Sequence, residues 1–188
     1  MGLDMYLVRK KYIGANYEHR NVKGKIDISI NEKKMPIDFN KVSYIDELVC
    51  YWRKANAIHN WFVENAQNGV DDCEEHYVSA KQLEQLLSLC EEVKKKAKLK
   101  KGKIQNGAKL VNGNWEPIME DGKYITNADE IEALLPTQHG CFFGSTDYDE
   151  YYLQDIEYTI QKLKEILEEE DKLVELGFYS EFTYQSSW

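Results

Sequence analysis

The run Asp149-Glu150-Tyr151-Tyr152-Leu153-Gln154-Asp155-Ile156-Glu157-Tyr158-Thr159-Ile160-Gln161-Lys162-Leu163, continuing to Leu176, is the clearest periodic segment of the chain. Leu153, Ile156, Ile160, Leu163 and Leu167 recur at steps of three and four, the spacing of one helical face. Gly177 ends that helix, because glycine accepts the left-handed backbone that closes one. Beyond it Phe178 to Trp188 alternates, which predicts a final strand. Asp147 with Glu150 reads as the capping box of the long helix.

The other end of the chain mirrors this one. Leu3 to Ile13 reads as a first strand, with Met5, Leu7 and Tyr12 packing inward. Lys23 to Asp38 holds Ile26, Ile28 and Ile30, a turn at Asn31-Glu32-Lys33, then Met35 and Ile37, a hairpin with a loop longer than two residues. Ser43 is placed to cap a helix over Tyr44 to about Gln67, with Ile45, Leu48, Trp52, Ala55, His59 and Phe62 as its core stripe. Ser79 and Gln82 open a second helix running to about Lys98. Residues 102–126 are rich in Gly, Asn and Asp and read as a polar excursion with one or two short strands. A short helix over Asn127–Leu135 stops before Pro136, and Cys141–Phe143 reads as a short buried strand. Strands at both ends with helices between predict an α+β fold, a small mixed or antiparallel sheet packed on two or three long α-helices. We read 1–188 as one domain with the excursion at about 102–126.

Composition narrows the function classes. A net charge of -9 over 188 residues repels nucleic acid backbones, so no nucleic-acid partner is expected. No stretch approaches the roughly 20 apolar residues of a membrane span, and the acid at Asp4 argues against a signal peptide. Cys50, Cys73, Cys90 and Cys141 form no C-x-x-C pair and read as reduced, mostly buried thiols of a cytoplasmic protein. Cys73 with His76, or His139 with Cys141, falls short of the four ligands of a structural zinc site, so neither a metal nor a cofactor is expected.

Three stretches carry chemistry. Tyr51 to Phe62 sets Trp52, Arg53, Asn56 and His59 on adjacent turns; Arg beside aromatics and amides can grip a phosphate, a carboxylate or a purine edge. Pro136 to Tyr148 holds Gln138 and His139, then Gly144-Ser145-Thr146 and Tyr148. Gly144 to Thr146 has the look of a phosphate cradle ahead of a helix. Asp147, Asp149 and Glu150 would repel a phosphate there, so the loop's carboxylates suit donors such as sugar hydroxyls or amino groups. The tail brings Tyr184 and Trp188. Convergent polar groups among aromatics are the ingredients of a small-molecule pocket. No nucleophile elbow, zinc-protease motif, Walker loop or dinucleotide fingerprint is present.

The phrases Met1-Gly2-Leu3-Asp4-Met5-Tyr6-Leu7, Tyr51-Trp52-Arg53-Lys54-Ala55-Asn56-Ala57-Ile58-His59, Leu134-Leu135-Pro136-Thr137, Phe142-Phe143-Gly144-Ser145-Thr146 and Tyr184-Gln185-Ser186-Ser187-Trp188 resemble a family of small bacterial and phage proteins. That resemblance implies a phage or prophage setting and carries no catalytic residues with it. The expectation is a non-enzymatic binder of a small polar, nucleotide-derived ligand, a counter-defence protein that sequesters a host signalling nucleotide. One alternative is an enzyme on the same ligand class with His59 or His139 as acid-base. The other is an inhibitor that docks on a host protein through its acidic helix or its lysine run. A second copy of the chain is a further candidate partner.

Overall fold

A computed structural model describes residues 2–20 and 22–188, and the fold is α+β. Its sheet is antiparallel, with β1 (Asp4–Tyr12) central, β4 (Tyr44–Arg53) on one side, and β8 (Ser180–Ser187) then β5 (His76–Val78) on the other. Three helices, α1 (Asn56–Asn65), α2 (Ala80–Lys96) and α4 (Glu150–Glu175), contribute to one core with the sheet. The remaining elements are a small hairpin, β2 (Ile28–Ile30) and β3 (Lys33–Met35), a long ribbon, β6 (Leu99–Val111) and β7 (Asn114–Ile125), and a short helix α3 (Ala128–Glu132).

Strand β1 shows why the sheet forms. Leu3, Met5 and Leu7 alternate into the core and are fully buried, with Met5 and Leu7 opposite Trp52 and Cys50 of β4 and Ser186 and Tyr184 of β8. Helix α4 answers with Ile156, Ile160, Leu163 and Ile166, and α2 with Leu83, Leu86, Cys90 and Val93. At ~1.5–3 kcal/mol for each buried large apolar side chain, this shared core is the main stabilising term. The capping box expected at Ser79 and Gln82 is present in full.

Four expectations are corrected. Tyr44–Arg53 is a strand, and only Asn56–Asn65 is helical: the three-four spacing of Ile45, Leu48 and Trp52 coincides with a strand whose inward residues are Cys50 and Trp52. A bulge opposite Leu7 and Val8 flips the alternation, which leaves Leu48 exposed. Ser43 accordingly caps no helix; its carbonyl accepts the Ile13 and Gly14 amides at 2.9 and 3.2 Å. Second, the small hairpin turns on two residues, Asn31 and Glu32, both at positive φ, as a type I′ turn needs. Third, the polar excursion is a continuous two-stranded ribbon turning at Asn112-Gly113, with a bulge at Gln105–Ala108. Fourth, Cys141–Phe143 is a turn rather than a strand, and α4 is capped by Asp149, whose Oδ1 accepts the Tyr151 and Tyr152 amides at 2.8 and 3.1 Å.

Arg9 occupies the next inward position of β1, where an apolar side chain would be expected. Its guanidinium is buried 5.6 Å from the Phe182 ring, donates to Glu169 at 2.9 Å, and lies 3.8 Å from the Glu170 carboxylate. Glu170 is itself buried and accepts the Ser180 hydroxyl at 2.5 Å. Removing one partner of a buried ion pair strands the other charge, at a cost of ~3–5 kcal/mol. Arg9→Ala is therefore expected to lower stability by about that amount in urea unfolding, whereas Arg9→Ala with Glu170→Leu recovers a large part of it.

Candidate functional site

The junction between β4 and α1 builds one wall of a cleft. Arg53 closes the strand opposite Asp4 of β1, and the Lys54 amide donates to the Leu3 carbonyl at 2.8 Å. Lys54 then takes a left-handed backbone, φ 61°, and the Asn56 amide donates back to the Lys54 carbonyl at 2.8 Å, a tight turn over Ala55. Helix α1 starts from that turn with no side-chain cap. Its first turn opens onto the cleft, so the positive end of the helix and the Arg53 and Lys54 cations share one mouth.

The facing wall is the loop Phe142–Ser145. Asn56, buried at the start of α1, donates to the Phe143 carbonyl at 3.2 Å and the Ser145 carbonyl at 2.7 Å and so pins the loop. Phe142 is the second non-glycine at left-handed φ here, at 64°. Glycine is required at Gly144, φ 97°, where a Cβ would sit 3.2 Å from that of Lys54. The first turns of α4 form the floor with Asp149, Tyr152, Asp155 and Ile156, and the bulge of the β6–β7 ribbon stands over one side. The cleft encloses 660 Å³.

Its electrostatics are divided. Two carboxyl groups occupy the floor beneath the cations. Asp149 is 2 % exposed; Oδ1 caps α4, while Oδ2 is buried with no partner among the described residues. Burial raises its pKa above the usual carboxylate range, and Asp147 and Glu150 add to the shift. Asp155 is pushed up to about 7, mainly by burial, with the Asp149 charge contributing.

Of the residues expected from sequence, Arg53, Asn56 and Ser145 line this cleft. Thr146 and Tyr148 line a neighbouring hollow of 390 Å³ that shares Asp147 and Asp149 with it. Tyr148 is half-buried, its hydroxyl accepting the Thr137 amide at 3.2 Å. Trp52 lies in the core and donates to Thr159 at 2.9 Å, so it offers no face to a ligand. His139 is exposed and lies outside the cleft lining.

His59, Gln138, Tyr184 and Trp188 do converge, but on a polar network beside Phe143 that stays open at Gln138, whose Oε1 is buried without a partner among the described residues, and at the half-exposed Trp188. His59 is 0 % exposed; Nδ1 lies 2.7 Å from the Tyr184 hydroxyl and Nε2 3.1 Å from Asp71. Asp71 also accepts from Gln138 at 2.8 Å and from the Trp188 indole at 3.2 Å. Tyr184 stacks on Phe62 at 4.0 Å, while Phe143 meets His59 and Trp188 edge-on. Burial lowers the His59 pKa although Asp71 opposes it, and both ring nitrogens are engaged. That corrects the reading of His59, Tyr184 and Trp52 as ligand-facing: all three are buried and none lines the cleft.

Asp71 and Asp155 are residues that the sequence reading did not select, whereas Lys54 is read there with Arg53 as a phosphate contact and Asp149 as one of the loop's carboxylates. Asp149 was legible as a helix-dipole acid, and Asp155 as a carboxylate beside the apolar stripe at Ile156; Asp71 sits in a loop with no pattern to mark it. Cys50 and Cys90 are buried with thiols raised to about 12, while Cys73 and Cys141 are exposed, so burial extends to two of the four thiols. Among the described residues no three His, Cys, Asp or Glu side chains are grouped to share a metal ion, and His76 pairs with Asp72 at 2.8 Å. No described helix is long and apolar enough to cross a membrane. In the lysine run Lys94, Lys96 and Lys103 pair with Glu157, Glu92 and Asp121. No family model matches the chain, and neither does any curated protein or solved structure.

Burial keeps the proton on folded Asp155 up to about pH 7, whereas an unfolded aspartate releases it near pH ~4. The stability held by the protonated form is complete below the unfolded value and drains away as pH rises through the folded one. Asp155→Asn cannot ionise, so its advantage over the parent in melting temperature is expected to widen from about pH 4 to about pH 7 and then level off. A pH-independent difference would contradict the raised pKa of this half-buried carboxyl.

Proposed function

We propose that this cleft binds a small polar ligand bearing an anionic group at one end and hydrogen-bond donors at the other, the chemistry of a nucleotide. The carrying observation is Asp149 Oδ2, a buried carboxylate oxygen on the cleft floor without a partner among the described residues. A buried acceptor left unpaired costs ~1–3 kcal/mol, and a donor arriving with a ligand recovers it. An amino or hydroxyl group fits that place; a phosphate does not. The anionic end fits the mouth, where Lys54, the uncapped start of α1 and Arg53, whose guanidinium also faces Asp4 at 4.0 Å, gather positive charge in a chain of net charge -9. Left-handed Lys54 and Phe142 on facing walls add support, because strained backbone clusters at ligand clamps. In the phage setting that the sequence resemblance implies, tight holding of such a ligand amounts to sequestration of a host nucleotide.

Asp149→Asn separates the two duties of this residue. Asparagine still caps a helix through its remaining oxygen, so α4 stays intact. The variant loses the buried charge and turns an acceptor into a donor. Expected are an equal or higher melting temperature without ligand and a tenfold or greater loss of nucleotide affinity by calorimetry. Arg53→Ala is expected to weaken binding with a reduced salt dependence. Absence of any heat or thermal shift across a panel of mono-, di- and cyclic nucleotides would end this reading.

A second reading keeps the ligand and adds turnover. Asp155, holding a proton up to about pH 7 beside Asp149, is a better acid-base candidate than either His59 or His139. The discriminating result is recovery of the ligand. Intact ligand after prolonged incubation supports sequestration, whereas turnover lost in Asp155→Asn with binding retained supports the enzyme.

A further inference from the structure

At the far end of the same strands, away from the cleft, the chain gathers tyrosines. Tyr12 ends β1, Tyr44 opens β4 directly opposite it, and Tyr179 immediately precedes β8. The Tyr12 amide donates to the Tyr179 carbonyl at 2.9 Å, which fixes that residue beside the strand. Gly14 then turns the chain back at φ 61°. Only glycine fits there, since a Cβ would sit 2.7 Å from the Tyr12 ring and 2.5 Å from the Arg20 guanidinium. The reversal carries Tyr17 over Tyr12. Ring centroids lie 5.3 Å apart for Tyr12 and Tyr44 and 6.4 Å for Tyr12 and Tyr17.

The four tyrosines, with Glu181, Ser180 and Lys10, line one notch of 270 Å³. Three of the rings, those of Tyr17, Tyr44 and Tyr179, belong to side chains that are strongly exposed, Tyr179 at 73 %. Packing a core does not require this, because tyrosines that merely close a sheet end would bury their faces. Four electron-rich faces around a small hollow attract a cation, and a carboxylate on the rim strengthens that attraction. The chain already shows the preference: the Arg20 guanidinium sits 4.9 Å over the Tyr12 ring. Lys10 on the notch wall pairs with Glu75, and Glu181 brings the notch a carboxylate against the Arg20 charge over Tyr12.

We propose that this notch is a binding site for a quaternary ammonium group, of the kind carried by choline or trimethyllysine. A primary ammonium needs several acceptors to replace its water. A methylated ammonium needs none and gains dispersion contact with every ring. The site is separate from the cleft and takes a ligand of opposite charge.

The test is an NMR titration of the full chain with tetramethylammonium chloride, against sodium chloride at equal ionic strength. Saturable shifts of the Tyr12, Tyr17, Tyr44 and Tyr179 ring signals are expected. Tyr179→Ala should weaken binding by about fivefold or more and Glu181→Gln by a few-fold, with Tyr179→Phe close to the parent. Because Tyr179 is so exposed, its replacement leaves the fold unperturbed, as the unchanged remainder of the spectrum will report. Asp149→Asn should bind as the parent does. Choline and a trimethyllysine peptide, run as separate arms, identify which source binds more tightly. Shifts that only track ionic strength, or an affinity untouched by Tyr179→Ala, overturn the proposal.

Discussion

The hydrogen bond from the Lys54 amide to the Leu3 carbonyl is the constraint on which the cleft depends. It holds the end of β4 against β1 and makes the chain turn there, so that a strand becomes a helix within two residues. Had the strand run on, Arg53 and Lys54 would point to alternate faces of the sheet. Had the helix begun earlier, Asn56 would not meet the carbonyls of Phe143 and Ser145. The left-handed conformation of Lys54 costs ~1 kcal/mol or more, and the pairing of β1 and β4 on one side and the α1 core contacts on the other sustain it.

The buried network answers a different problem. Phe143 lies between the cleft-lining residues Phe142 and Gly144 but is itself buried in the core, edge-on to His59 and Trp188. Beside it the chain places polar groups where hydrocarbon would suffice: His59, Tyr184, Asp71, Gln138 and Trp188 in one connected network. Such a network adds little net stability, since each bond replaces one with water. What it adds is uniqueness of arrangement, because any shift leaves a buried donor or acceptor unpaired. The network joins α1, the loop after it, the Gln138 loop and the C-terminal residues, which are the segments whose relative placement shapes the cleft.

Much of the architecture could be read from the chain, for a specific reason. Helix α4 and the Ser79 cap of α2 carry their signals within one contiguous stretch, where periodicity and capping are local properties. The strand β4 fails that test. Ile45, Leu48 and Trp52 satisfy helical spacing, and only pairing with β1, decided by residues forty positions away, selects the extended form. The ribbon reads only as one or two short strands because most of its residues face water, Ile104 and Ile125 excepted, so no apolar alternation marks its length. At the site, clustering of uncommon residues did find Arg53, Asn56 and Ser145. It misplaced His59 and Tyr184, since the same residue types build a ligand wall and a buried network, and only depth separates them. Asp155 was hidden within the helix, and Asp149, read as one of three acids at the helix start, stands apart from Asp147 and Glu150 only because its second oxygen is buried.

That second oxygen links stability to function. A capping aspartate at a solvated helix end gives α4 its dipole interaction and leaves the spare oxygen to water. Here the Phe142–Ser145 loop and the first turn of α1 close over the same region, so Asp149 keeps its cap and loses its water. Asp155, six residues on, is also held above the usual carboxylate range by burial, and the Asp149 charge adds to that shift. A chain selected for stability alone has a simple remedy in asparagine at either position. Retaining both carboxyls beneath two lysine- and arginine-borne cations makes the empty cleft the less comfortable state of the protein. A ligand that brings donors to the floor and negative charge to the mouth relieves both halves of that discomfort at once. Relief available only on binding is differential free energy, the quantity that affinity is made of.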